Sequence, residues 1–103
     1  MRVELLTREF PPDVYGGAGV HVDFLTRHLR SRVDLDVLCM GAEREGATAF
    51  AEHDPRFPDA NQALQVLSTD LAMTARCAQA DVVHSHTWYA NMAGHLSKLL
   101  YDV

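Results

Sequence analysis

The chain has 103 residues, 48% of them hydrophobic and 22% charged, with a formal net charge of −5. That composition supports one hydrophobic core and limits the chain to one domain or part of one. Lys98 is the only lysine and the eight arginines are dispersed, so the sequence lacks the basic clusters that grip nucleic acid or an anionic membrane surface.

The start, MRVELLTREF, is a short apolar run broken by charges rather than a secretory signal. No stretch approaches the roughly 20 apolar residues of a membrane span, which makes a cytoplasmic location the default expectation. Residues 3–7 read as a first strand. It ends near Glu9, because Pro11 and Pro12 lack the N–H donors a central strand needs. Tyr15, Gly16, Gly17, Ala18 and Gly19 then form a glycine-rich turn. Ala18, Val22, Leu25 and Leu29 recur at helical spacing and make an apolar stripe suited to a sheet. Arg27, Arg30 and Arg32 close that helix, where positive charge complements the helix dipole. Residues 33–40 (VDLDVLCM) alternate and then become continuously apolar, as a strand does on entering the middle of a covered sheet.

Residues 42–61 hold glycine, proline and charge without a period, so an irregular excursion is expected, with at most a helical turn over residues 47–52. Residues 63–67 suggest a short third strand. Ser68 is the expected N-cap of the next helix, with Asp70 in its first turn and Leu71, Ala75 and Ala78 on one face. Residues 82–85 read as a short buried strand, followed by a helix whose stripe is Met92, Leu96, Leu99 and Leu100. Cys39 and Cys77 have neither zinc-ligand nor disulfide spacing and are expected to pack as small apolar side chains. Alternating strands and helices predict a Rossmann-like α/β fold, a parallel sheet with helices on both faces.

In such a sheet, ligands bind beyond the carboxyl ends of the strands where the strand order reverses. If the order is 3-2-1-4, the glycine turn and the segment around His84 and His86 stand side by side there. Gly16, Gly17 and Gly19 allow a tight turn and close approach of a ligand, and the following helix start offers N–H donors to a phosphate. The alternative is a turn that only connects strand to helix. The spacing departs from G-x-G-x-x-G, since Val22 stands at the third glycine position and no acid closes the second strand. This weighs against a nicotinamide cofactor. His84 and His86 lie on the same face if the strand continues through both; the favoured arrangement, a strand ending at Ser85, places His84 in the sheet and His86 in the crevice. There His86 either hydrogen-bonds a polar substrate or is satisfied by backbone, and an H-x-H metal site lacks nearby partners. Trp88 and Tyr89 offer flat faces to a sugar ring or pack the next helix start. Glu9 is placed to contact ligand hydroxyls or stays at the surface. His21, His28, His53 and His95 receive no role.

Three segments together, EFPPDVYGGAGVHV (residues 9–22), LSTDLAM (67–73) and DVVHSHTWYANMAGHL (81–96), resemble the N-terminal domain of glycogen synthases in glycosyltransferase family four. The resemblance implies a GT-B arrangement. Residues 1–103 would then be part of the acceptor-side Rossmann domain, and the donor domain would lie outside them. It further implies that Gly16, Gly17 and Gly19 approach the donor diphosphate and that His86 contacts the transferred sugar, with Glu9, Tyr15, Trp88 and Tyr89 as sugar or acceptor contacts. In the starch-synthase-like branch the comparable histidine stands where this sequence has Tyr89. The implied reaction moves glucose from ADP-glucose, with retention, to an α-1,4-glucan or to glucose 1-phosphate, giving maltose 1-phosphate. No metal or other cofactor is implied. The implied partners are the nucleotide sugar and its glucan or sugar phosphate acceptor, with no nucleic acid and no membrane. The oligomeric state is left open. The diphosphate-stabilising cations belong to the second domain in this resemblance, so residues 1–103 alone are expected to be inactive, with an unpaired strand edge that invites aggregation. Two other readings remain, a nucleotide-dependent oxidoreductase or epimerase half and a non-catalytic flavodoxin-like interaction domain.

Overall fold

A computed structural model describes residues 1–103. In chain order it contains β1 (Arg2–Leu6), α1 (Gly17–Leu29), β2 (Asp34–Met40), β3 (Thr48–Phe50), α2 (Gln62–Arg76), a 3-10 turn (Cys77–Gln79), β4 (Val82–Ser85) and α3 (Thr87–Tyr101). The four strands form one sheet in the order β3-β2-β1-β4. Every pairing is parallel, with Leu5 opposite Val37 on one side and His84 on the other. All carboxyl ends therefore emerge on one rim, and β1, at the centre, has the glycine turn directly after it.

Alternation along β1 and β2 divides the core in two, because successive side chains leave a strand on opposite faces. Val3, Leu5, Leu35, Val37 and Cys39 pack with Phe10 and Val22 on the α1 side. Leu6, Leu38 and Met40 pack with Val66, Met73, Cys77, Ala90 and Ala93 on the α2 and α3 side. Cys39 and Cys77 are free and buried, one in each half. The expected Rossmann-like α/β sheet covered on both faces is the observed fold. No helix is long and apolar enough to cross a membrane.

The structure corrects the middle of the chain. The third strand is Thr48–Phe50, inside the segment expected to be irregular or briefly helical. It is three residues long and half-buried, too short to impose a pattern on its surroundings. Residues 63–67 belong to α2 instead. Its N-cap is Asn61, whose side-chain oxygen accepts the Leu64 N–H at 3.0 Å. Ser68 lies in mid-helix and donates its hydroxyl to Asp54 at 2.7 Å. Asp70 is likewise well inside the helix and fully buried.

The outward faces of α2 and α3 also reverse the expectation. Gln65, Val66, Thr69, Asp70, Met73 and Thr74 form the buried side of α2, whereas Leu71, Ala75 and Ala78 face outward. On α3 the buried residues are Ala90, Ala93 and Ser97, and Met92, Leu99 and Leu100 are exposed. The two helices meet through small side chains, which bring their backbones close and leave the larger apolar residues outside. Gly94 continues this pattern toward the sheet, where a Cβ would stand 2.8 Å from the Ser85 hydroxyl oxygen.

Candidate functional site

The glycine turn is built by the segment that precedes it. The Glu9 carboxylate accepts the N–H of Tyr15 and, at 3.0 Å, that of Gly16. Thr7 donates its hydroxyl to the Glu9 carbonyl at 2.9 Å. A second clamp comes from Arg44, only 4% exposed, which donates to the carbonyls of Phe10 (2.6 Å) and Met40 (3.1 Å) and pairs with Asp13 at 3.2 Å. Arg44 thus ties the Pro11-Pro12 corner, which contains a cis peptide bond, to the end of β2. A buried guanidinium with this many partners fixes backbone position, because each carbonyl it holds would otherwise need another donor.

The three glycines differ in what surrounds them. A Cβ at Gly16 or Gly17 would meet nothing within 4 Å, whereas one at Gly19 would come 2.9 Å from Val14 and 3.0 Å from the Glu9 carboxylate oxygen. Gly19 lets α1 pack against the Glu9 segment, and Gly16 and Gly17 leave the outer side of the turn open. Gly16 is an N-cap without a side-chain hydrogen bond, and the first turn of α1 carries no acid. The N–H groups of Gly17, Ala18 and Gly19 have no acceptor in the chain. Unsatisfied N–H groups at a helix start combine with its dipole to attract a negative group.

The tip of β4 stands beside this turn. His86 N–H donates to the Leu6 carbonyl at 2.9 Å, which extends the β4–β1 ladder one step past the strand end. His86 then serves as N-cap of α3, again without a side-chain cap, and Thr87 has a positive φ of 64°. A threonine in the left-handed region is strained backbone, and such strain persists only where its surroundings enforce it.

The His86 ring stacks on His84, with centroids 4.4 Å apart, and lies 5.4 Å from the ring of His21 on α1. His84 is accordingly exposed on the same side as His86 and is not the core histidine expected from a strand ending at Ser85. The extended backbone of His86 (φ −119°, ψ 129°) continues the alternation and puts both rings on one face. His21, which received no role from the sequence, joins them because its helix starts at the neighbouring corner. Burial lowers the His86 pKa, and the neighbouring His84 and His21 lower it further. A neutral ring at neutral pH can both donate and accept. Its Nδ1 is buried without a hydrogen-bond partner. No group of three or more His, Cys, Asp or Glu side chains is arranged to hold a metal ion.

The aromatic side chains complete the rim. Trp88 and Tyr89 stack at 4.2 Å, while Tyr15 (69%) and Trp88 (53%) are largely exposed. Arg8 links the two corners, since its guanidinium carbon lies 4.3 Å from the Tyr89 ring centroid and 5.4 Å from that of Tyr15. The structure therefore brings Gly16, Gly17, Tyr15, His86, Trp88 and Tyr89 to one rim. Glu9 and Gly19 stand within the support of the turn rather than on its open side. Arg8, Arg44 and His21 were missed by sequence reasoning. The one signal for Arg8 was its position immediately after β1, where an open sheet binds ligands.

A family model described as Glycosyltransferase Family 4 matches residues 15–103. The chain is 57% identical over all of its 103 residues to proteins named alpha-maltose-1-phosphate synthase from Mycobacterium tuberculosis and Mycolicibacterium smegmatis. It spans 26% of the length of those relatives.

Proposed function

Since the chain belongs to glycosyltransferase family 4, we propose that it forms the acceptor-side wall of a retaining glucosyltransferase that uses ADP-glucose. The acceptor in this reading is glucose 1-phosphate and the product maltose 1-phosphate, in line with the names of the relatives. Transfer to an α-1,4-glucan, as in glycogen synthesis, is the second reading and rests on the same three sequence segments.

One observation carries the proposal: the open glycine turn and the histidine-bearing strand tip adjoin, with His21 and His86 only 5.4 Å apart. In this reading the donor diphosphate lies over Gly16 and Gly17, where no Cβ obstructs it and free N–H groups face it. Charge builds on that diphosphate as the glycosidic bond breaks, so fixed donors there stabilise the transition state more than the ground state. Neutral His86 holds a hydroxyl of the transferred glucose, and the exposed Tyr15 and Trp88 faces give the sugars apolar surface. The donor-base pocket and the cations that complete diphosphate stabilisation are assigned to a second domain outside residues 1–103.

The test is transfer by the full-length gene product, with ADP-glucose supplied and glucose 1-phosphate or glycogen offered separately. Maltose 1-phosphate formation supports the first reading, and glucan extension alone supports the second. The 103-residue chain by itself is expected to give neither product. Turnover of ADP-glucose by that polypeptide would refute the assignment of essential groups to a second domain.

A further inference from the structure

Arg8 is placed at the rim with more donor capacity than the chain uses. Its backbone carbonyl accepts the Met40 N–H at 3.3 Å, so the residue continues β1 beyond its assigned end. Its Nε donates to Glu52 at 3.1 Å, while neither Nη group donates to any acceptor in the chain. The Tyr89 and Tyr15 rings flank the guanidinium. Cation–π contact with two rings holds its plane without consuming its N–H groups.

Beside Arg8 is a hollow of about 90 Å³, lined by Arg8, Glu52, His53, Gln62, Gln65 and Tyr89 together with Met40 and Val66. Most of those side chains are polar, and Arg8 is the only Lys or Arg among them. The other arginines near the rim are committed elsewhere, Arg44 to Asp13 and three carbonyls, and Arg56 to Asp54. Tyr89 belongs both to the hollow and to the aromatic pair beside His86, so a ligand in the hollow would stand next to the transfer site.

We propose that Arg8, held between Tyr15 and Tyr89 over this polar hollow, binds the phosphate of a sugar phosphate acceptor and so discriminates it from a neutral glucan. This deepens the reading given above and rests on it. A guanidinium presents paired N–H groups that match two phosphate oxygens, which an uncharged glucan cannot exploit. Glu52 orients the Nε edge from a partly exposed position, where an ion pair is weak enough to yield to a dianion.

The experiment compares wild type, Arg8→Gln and Arg8→Lys in the full-length gene product, with glucose 1-phosphate and with maltooligosaccharide as acceptors. Inorganic phosphate serves as a competing probe, and a thermal melt reports the fold. Arg8→Gln is expected to raise KM for glucose 1-phosphate at least tenfold with kcat within about threefold, and to weaken inhibition by phosphate to a similar degree. Arg8→Lys, which keeps the charge without the fork, is expected to fall between the two. The KM for maltooligosaccharide should stay within about twofold. Equal losses with both acceptors, or an unchanged KM for glucose 1-phosphate in Arg8→Gln, would overturn the inference while leaving the transferase reading intact. A wild-type enzyme that elongates glucan but never uses glucose 1-phosphate would remove the acceptor reading and this inference together.

Discussion

The carboxyl rim of the sheet and the outer side of the α2–α3 layer dispose of their polar groups in opposite ways. At the rim, charge is matched: Arg44 has a carboxylate and three carbonyls, and the half-buried Glu9 has two backbone N–H groups. The unmatched groups there, the N–H groups that open α1 and the buried Nδ1 of His86, adjoin the space proposed for the ligand. In the α2–α3 layer a hollow of about 290 Å³ is lined by Leu64, Leu67, Trp88 and Met92, and the fully buried Asp70 at its wall has no hydrogen-bond partner for either carboxylate oxygen. An unmatched group within reach of a ligand serves binding. A buried carboxylate without a partner works against folding.

The largest effect expected from this contrast is at Asp70. Burial pushes its carboxyl up to about 7, whereas an unfolded aspartate titrates near 3.9. Between those values the folded state binds the extra proton, so the ionisation of Asp70 costs nothing at low pH and progressively destabilises the fold as pH rises through that window. Replacing it by Asn should therefore flatten stability between about pH 4 and pH 7 and raise it at neutral pH, by an amount on the order of 2–4 kcal/mol. Denaturant melts of both proteins at several pH values measure this, and parallel pH profiles would show that Asp70 finds a partner.

Gly19→Ala comes next. Its new methyl would crowd Val14 and Glu9 at 2.9–3.1 Å, and the neighbours it displaces are those that hold the turn. A loss of about 1–3 kcal/mol is expected in the same melts, together with lower transferase activity. His86→Ala should show the reverse pattern, a fall in kcat of about tenfold or more (~1.4 kcal/mol) with little change in melting. An unchanged rate would favour an inert histidine and the non-catalytic reading. The smallest effect on stability belongs to Gly17→Ala, where a Cβ meets no atom within 4 Å. Its stability should change by less than about 0.5 kcal/mol, yet KM for ADP-glucose should rise because the methyl projects into the space proposed for the diphosphate. If Gly17→Ala and Gly19→Ala weakened folding equally, the distinction between an open and a packed glycine would be lost.

His86 adds a pH dependence of opposite slope to that of Asp70. Its lowered pKa means that stability from the neutral ring is complete above the unfolded value near 6.5 and declines as pH falls toward the folded one. His86→Ala should remove that acid-side decline, which separates it from the falling stability that Asp70 causes over the same range.

The sequence by itself determined the α/β alternation, and it placed the glycine turn and the β4 tip at strand ends that adjoin if the common 3-2-1-4 order holds; the structure supplied that order and the position of the third strand. The alternation and that placement follow from local signals: apolar runs bounded by proline and glycine, and the handedness of strand–helix–strand connections. Only the tertiary structure decided which sides of α2 and α3 are buried, since their buried faces include Ala90, Ala93, Ser97, Thr69 and Thr74, small or polar residues that the larger Leu and Met side chains outweigh in a hydrophobic pattern. It alone also brought Arg8 to Tyr89 and His21 to His86, because side chains more than 60 positions apart in the chain become neighbours through packing and not through any pattern in their own segments.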